Sequence, residues 1–180
     1  MRDRQKRLRR LAMTDQLTGL LNRHGLESVI QERLNQDKMD QAIFVQLDID
    51  DFKLINDIFG HRIGDEALRH LAVIMRVFFP REAVLARNGG DEFIIIMKDV
   101  TPGDVDAFLE KLARMAADYN CSGTQFMPVI PLSYAVGYAH SAQVPNSTMP
   151  MLLKVADSNM YANKAKVKAA MKDQRYAEVR

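Results

Sequence analysis

A chain of 180 residues with 47% hydrophobic and 27% charged side chains is long and apolar enough to bury one core, which excludes global disorder. Nine glycines and six prolines exclude a collagen-like or low-complexity chain, a single cysteine (Cys121) excludes an internal disulfide, and no apolar run approaches the ~20 residues that span a bilayer. The formal charge of +2 makes no case for nucleic acid as a partner, and it is unevenly placed: residues 1–10 hold six basic side chains and one acid, which leaves a balance of −3 over the rest.

The basic segment 2–12 reads as a charged helix with Leu8 and Leu11 three residues apart. It fits either a solvated lead-in helix or the end of a coiled-coil linker, and it is too short for heptads to decide. No apolar stretch follows it, so it does not read as a signal peptide. Residues 14–23 form a polar-punctuated loop. Leu26, Val29, Ile30 and Leu34 predict a helix over 25–37. The run AIFVQLDI at 42–49 predicts a buried strand, followed by a short helix at 52–58. Ile63, Ala67, Leu68, Leu71, Ile74, Met75 and Phe78 recur every three or four residues and predict a helix over 63–79, closed by Pro80. Strands at 82–87 and 92–97 flank Asn88-Gly89-Gly90-Asp91, which has the chemistry of a tight hairpin turn. An amphipathic helix at 104–118, a strand at 129–139 with an early proline, a long helix at 150–171 and a polar tail complete the chain. Hairpins mixed with helical crossovers predict an α+β fold, with one central, largely antiparallel sheet covered by helices.

Neither a GxxxxGK[ST] phosphate loop nor an HExxH zinc motif occurs. Asp48-Ile49-Asp50 begins like a calcium loop, but Phe52 stands at the third ligand position and Lys53 at the required glycine. What remains is an acid cluster at two strand ends: Asp48 closes the first strand, and Asp91 and Glu92 follow the Gly-Gly tip. If these strands are neighbours, the carboxylates converge at one edge of the sheet. Hard oxygen ligands there favour Mg²⁺, which keeps part of its water and phosphate. Two such ions serve to activate an attacking hydroxyl and to steady a leaving pyrophosphate. Gly89 and Gly90 remove side chains where a bulky anion must approach the backbone. Asp and Gly at a hairpin tip are also ordinary turn residues. Lys53, Asn56, His61 and Asp65, all at short range after the first acid, separate this pattern from a plain turn.

Gly89-Gly90-Asp91-Glu92-Phe93 reproduces the signature of the GGDEF family, the diguanylate cyclases, and the resemblance covers roughly residues 12–168. Asp15-Gln16-Leu17-Thr18-Gly19-Leu20-Leu21-Asn22-Arg23 resembles the family's opening motif. Asp48-Ile49-Asp50-Asp51-Phe52-Lys53, Ile55-Asn56-Asp57 and Phe59-Gly60-His61-Arg62-Ile63-Gly64-Asp65 resemble its first active-site segment. Ala156-Asp157 with Tyr161 and Lys164 resembles the closing helix.

The resemblance implies an enzyme that condenses two GTP into cyclic di-GMP and releases two pyrophosphates, on a fold resembling the palm of nucleotide cyclases and polymerases. It implies a GGDEF domain over 13–172, between a basic linker helix at 1–12 and a polar tail at 173–180. It implies Asp48, the Ile49 carbonyl, Asp91 and Glu92 as ligands of Mg²⁺, with Mn²⁺ as the alternative ion. Asp91 is then a candidate base for the 3′-hydroxyl, and Glu92 the second candidate. Phe52 and Lys53 match the turn that holds the triphosphate, with Lys53 offsetting charge in the transition state. Gly89 and Gly90 line the substrate, His61 lies near the nucleotide, and Lys164 and Lys168 match phosphate contacts on the last helix. Asn56 and Asp65 match the guanine readers. The chemistry agrees: guanine offers N1–H and N2–H₂ donors together, whereas adenine's N1 is an acceptor and leaves a carboxylate unpaired. The implied partners are GTP, a second copy of the domain and an upstream sensor in a parent chain, with no nucleic acid and no membrane segment. The implied location is cytoplasmic, with the parent free to be membrane-anchored. A non-catalytic GTP-binding regulatory module on the same fold is the alternative.

Three departures stand out. Val167-Lys168-Ala169 replaces the Gly-Arg-Asn that often follows the closing lysine, so Lys168 keeps a charge but not a bidentate fork. Ala135 stands where serine is frequent. The arginine and aspartate positions of the RxxD product-inhibition motif are Pro80 and Ala83, with Arg81 one residue out of register. On a strand that shift would turn Arg81 to the opposite face.

Overall fold

In β1 (Ala42–Ile49) every residue except Asp48 is buried, so this strand needs a covering layer on both faces. The computed structural model describes residue 4 and residues 11–33, 41–121, 133–144 and 148–178. Within them β1 lies inside a four-stranded sheet of order β2-β3-β1-β4, with β2 at Val84–Gly89, β3 at Glu92–Lys98 and β4 at Tyr134–His140. All three pairings are antiparallel, as the α+β reading expects.

Alternation along the strands sorts side chains between the two layers. Ile43, Val45, Leu47 and Ile49 of β1 and Phe93, Ile95 and Met97 of β3 pack against α2 (Phe52–Phe59), α3 (His61–Phe78) and α4 (Pro102–Cys121). Ala42 and Phe44 with Ile94 and Ile96 pack against Leu26 and Ile30 of α1 (Arg23–Arg33) and Leu152 and Ala156 of α5 (Met149–Glu178). The second face therefore also carries the even-numbered Asp48 and Glu92. Among the described residues no helix is long and apolar enough to cross a membrane.

Both outer strands are covered. Leu21 lies beside β2, its N–H donating to the Leu85 carbonyl at 3.1 Å and its carbonyl accepting from Arg87 N at 2.8 Å. Beside β4, the Nδ2 groups of Asn159 and Asn163 on α5 donate to the carbonyls of Tyr138 and Val136, each at 2.9 Å. α5 crosses β4 at Gly137, where an added Cβ would collide with the backbone of Met160 and Ala156.

Several boundaries differ from expectation for local reasons. β2 begins two residues later than 82, because Ala83 N bonds back to the Pro80 carbonyl at 3.0 Å and residues 81–83 form a turn. Arg81 is thus an exposed turn residue, and the strand-register argument against it does not apply. The 14–23 segment is an ordered turn rather than a simple loop, with Thr14 bridging to Leu21 and Leu21 to Ala86. α5 continues to Glu178, into the stretch read as a tail, because neither glycine nor proline follows Pro150 to stop it. Residues 34–37 of the first predicted helix, residues 129–132 of the last predicted strand, and most of the lead-in helix lie outside the described residues.

Candidate active site

Asp48 of β1 stands directly opposite Glu92 of β3, and Ile49 N donates to the Asp91 carbonyl at 3.3 Å. The two strand ends predicted to converge do so. Asn88 Nδ2 donates to Glu92 Oε2 at 3.2 Å. Burial raises the Asp91 carboxyl above its usual range; a backbone hydrogen bond opposes this, the charges of Asp48 and Glu92 raise it further, and Lys164 pulls it down. Lys164 reaches in from α5, ion-paired to Asp48 Oδ1 and 3.8 Å from Asp50 Oδ1. Burial would lower its pKa, but the hydrogen bond to Asp48 and the charges of Asp48, Asp50 and Asp91 together raise it.

The chain leaves β1 through Asp50, whose N–H donates to the Ser133 carbonyl at 2.9 Å, and Asp51, which is left-handed at φ 51°. Aspartate tolerates that conformation better than most residues. Asp51 gives α2 no side-chain cap, so the N–H groups of Phe52 and Lys53 at its first turn point outward without an intrahelical partner. That is a ready anion site, with the positive end of the helix dipole behind it. Lys53 is exposed and Phe52 half-buried.

α2 and α3 meet at Gly64. Asn56 Oδ1 occupies the space a Cβ there would need, and Phe52 Cζ lies 3.2 Å from that position. The bare Cα therefore lets Asn56 lie against the first turn of α3, beside Asp65. Asp65 is half-buried with Arg69 Nη2 at 3.9 Å, and His61 is exposed at the head of α3. Gly64 is a packing residue of the site that sequence reasoning missed; its signal is the small residue directly before Asp65.

The hairpin tip differs in detail from the expected four-residue turn. β2 runs to Gly89, which pairs with Glu92 after a bulge at Asn88, leaving Gly90 and Asp91 as the turn. Gly90 has φ 49°, with nothing within 4 Å of where a Cβ would sit, so the tip is open to a ligand. Arg87 holds this tip from behind: Nε and Nη2 donate to the Gly90 carbonyl at 2.9 and 2.6 Å, and Nη1 to both Asp15 oxygens at 3.2 Å. Asp15 also accepts from Thr18 N at 2.8 Å and Thr18 Oγ1 at 2.6 Å. Burial would raise the Asp15 pKa, but these hydrogen bonds and the Arg87 charge hold it below its ordinary 3.8. Arg76 Nη2 closes the arrangement on the Thr18 carbonyl at 2.7 Å. Sequence reasoning assigned no role to Arg87, Asn88 or Asp50.

The structure thus brings Asp48, Asp91, Glu92 and Lys164 together at one sheet edge, with Phe52 and Lys53 on the adjoining turn and Asn56 and Asp65 where α2 meets α3. Of Lys168 only the helical backbone is described. Among the described residues no group of three or more His, Cys, Asp or Glu side chains is arranged to hold an ion by itself. The side chains at this edge are carboxylates of β1 and of the β3 end of the hairpin, with the Lys164 ammonium ion-paired among them. Such a set suits a hard cation that keeps water and phosphate among its ligands.

An antiparallel sheet between two helical layers, with carboxylates of β1 and the β2–β3 hairpin converging at one end, is a nucleotide-cyclase palm-like fold. Solved structures agree. The coiled coil and GGDEF domain of DgcB from Caulobacter crescentus, solved in complex with c-di-GMP, superposes with a TM-score of 0.83 at 25% identity, covering 92% of this chain and 87% of that one. The family model "Diguanylate cyclase, GGDEF domain" matches residues 12–170, and the chain belongs to that family. Among curated relatives, it is 32% identical over 161 residues to the cyclic di-GMP phosphodiesterase PdeR of Escherichia coli, covering 89% of this chain and 24% of that protein. It is 32% identical over 157 residues to the response regulator PleD of Caulobacter vibrioides, covering 86% of this chain and 34% of that protein. The chain thus spans about a quarter to about a third of the length of these relatives.

Proposed function

We propose that this GGDEF domain is a diguanylate cyclase that joins two GTP into cyclic di-GMP and releases two pyrophosphates. The observation that carries the reading is the register of Asp48 opposite Glu92 with Asp91 in the adjoining turn, which supports a cation site at the mouth of an anion-binding helix start. Asp48, the Ile49 carbonyl, Asp91 and Glu92 would hold Mg²⁺, or Mn²⁺ in its place; when bound, the ion supplies charge neutralisation at the triphosphate. The N–H groups of Phe52 and Lys53 bind phosphate oxygens, and the Lys53 ammonium offsets charge that builds on the leaving pyrophosphate. Asp65 accepts from guanine N1–H and N2–H₂, and Asn56 fixes the base edge, with His61 beside the nucleotide. The open Gly89-Gly90 tip admits the nucleotide against the backbone. Asp91, with Glu92 as the second candidate, takes the proton of the attacking 3′-hydroxyl. Lys164 and Lys168 neutralise phosphate from α5.

One site holds one GTP and the product joins two, so two copies face each other, each 3′-hydroxyl beside the other α-phosphate. We assign the catalytic domain to 13–172 and, in a parent chain, an upstream sensor acting through the basic 1–12 segment, on the cytoplasmic side. The competing reading is a non-catalytic GTP-binding regulatory module. It is favoured by the phosphodiesterase name of one relative and by Val167-Lys168-Ala169 in place of the usual segment. Incubation with GTP and Mg²⁺ followed by mass identification of the product separates the two. Cyclic di-GMP from the wild type and none from a folded Asp91→Ala variant supports the cyclase; GTP binding without product supports the module.

A further inference from the structure

Lys164 is assigned above to the substrate phosphates, yet in the structure its ammonium rests on Asp48, a carboxylate assigned to the metal. It is ion-paired to Asp48 Oδ1 and lies 3.8 Å from Asp50 Oδ1, with about a quarter of its side chain exposed (26%). Asp91 and Glu92 add two more acids at the same edge. The backbone around Lys164 is fixed: on the preceding turns Asn159 and Asn163 are bonded to β4 carbonyls, and Met160 and Ala156 press on Gly137. The side chain is free to choose between an acid and a phosphate, while the helix that carries it is not free to leave. Among the described residues facing this edge, Lys164 is the cation ion-paired to Asp48, and like charges gathered in a half-buried site need such a counter-ion.

We propose that Lys164 is a place-holding cation, which compensates the ligand carboxylates before the metal arrives and is released to the triphosphate when it does. Metal and nucleotide entry are then coupled. The metal must displace an ammonium from Asp48, and the displaced ammonium is only well used when a phosphate is present to receive it. Bare metal binds weakly and metal with nucleotide binds well. This discourages occupation of the site by a free divalent ion. The inference rests on the cyclase reading of the carboxylates.

The test is Mn²⁺ binding without nucleotide, followed by electron paramagnetic resonance of the free ion, for the wild type, Lys164→Met and Lys164→Arg. Lys164→Met should tighten Mn²⁺ binding by about three- to tenfold, the scale of a competing half-exposed ion pair removed. Lys164→Arg keeps the charge and should stay near the wild type. Unchanged or weaker binding in Lys164→Met overturns the proposal. As an independent measurement on the wild type, acylation of Lys164 by an amine reagent, read by peptide mass spectrometry, should speed up when Mn²⁺ is added. An unchanged acylation rate at saturating Mn²⁺ also overturns it. Failure of the underlying reading looks different: Mn²⁺ binding, measured with or without a non-hydrolysable GTP analogue, would then survive Asp48→Asn and Asp91→Asn unaltered.

Discussion

Arg87→Met removes the clamp that ties the hairpin tip to the opening turn. The wild-type guanidinium makes two bonds to the Gly90 carbonyl and two to Asp15, with 14% of the Arg87 side chain and 23% of Asp15 exposed. That is drier than a surface pair worth under about 1 kcal/mol. Charge-assisted bonds in such surroundings, set against the bonds to Thr18 that Asp15 keeps, suggest a loss of about 2 kcal/mol. For a chain of this size that lowers the melting temperature by roughly 4–8 °C. A double-mutant cycle with Asp15→Asn should show coupling of about 1 kcal/mol. The acid limb gives a separate reading. Asp15 has a folded pKa below its ordinary 3.8, so its contribution is complete above that pH and is lost as pH falls through the lower folded value. Removing Arg87 takes away one cause of the lowering, so Arg87→Met should lose less stability than the wild type as pH falls below 3.8. Because the same carbonyl positions Asp91, turnover should fall by about ten- to a hundredfold. Thermal melts from pH 2 to 7 and a pyrophosphate-release assay at 20 °C test this. A variant melting within a degree of the wild type, with parallel acid curves, refutes the reasoning.

Asp65→Ala or Asn56→Ala should weaken GTP binding by roughly 1.5–3 kcal/mol and narrow the preference over ATP; calorimetry with both nucleotides checks it, and unchanged discrimination removes these residues from base reading. Gly137→Ala should destabilise by at least about 2–3 kcal/mol, since the added methyl meets backbone rather than a yielding side chain; a denaturant midpoint equal to the wild type would show that α5 can lift off β4. Specific activity should rise with protein concentration, and a confirmed monomer with concentration-independent turnover contradicts the two-copy reading. With the active site filled by a non-hydrolysable GTP analogue, cyclic di-GMP should show no tight second site, because the side chains of Pro80 and Ala83 offer neither a cation nor a carboxylate acceptor. Micromolar binding lost on Arg81→Ala would mean that the exposed turn arginine builds such a site after all.

Features written in short-range pattern were legible before any coordinates. β1 announced itself as an apolar run broken only by Gln46 before the acid Asp48, α3 by apolar residues every three or four positions, and the hairpin by its glycines. The start of β2 was not legible, because Glu82 and Ala83 look no less extended than Val84 until the Pro80 carbonyl captures Ala83 N. The carboxylate cluster could be anticipated as a conditional, needing only that two strands be neighbours. The contacts that hold it could not: Arg87 and Asp15 are 72 positions apart and Lys164 and Asp48 are 116, and nothing local to either partner names the other. Family likeness placed Lys164 near phosphate, whereas the folded chain places it on an acid.

The asparagine pair of α5 and the Leu21 contact beside β2 have a consequence for how copies of this domain can meet. An open sheet ordinarily offers its outermost backbone as a template on which another chain can crystallise strand by strand, an association that is tight and hard to reverse. Here two of the carbonyls along β4 are already spoken for by side-chain amides, and the far side of β2 is bonded to its own chain. Encounters between copies are thereby diverted to helical and loop surfaces, where contact forms and dissolves more readily, as the two-copy cyclase reading requires. Asn159→Leu with Asn163→Leu would unmask those β4 carbonyls, and the expected outcome is a domain that stays folded when dilute but accumulates as fibrillar aggregate when concentrated.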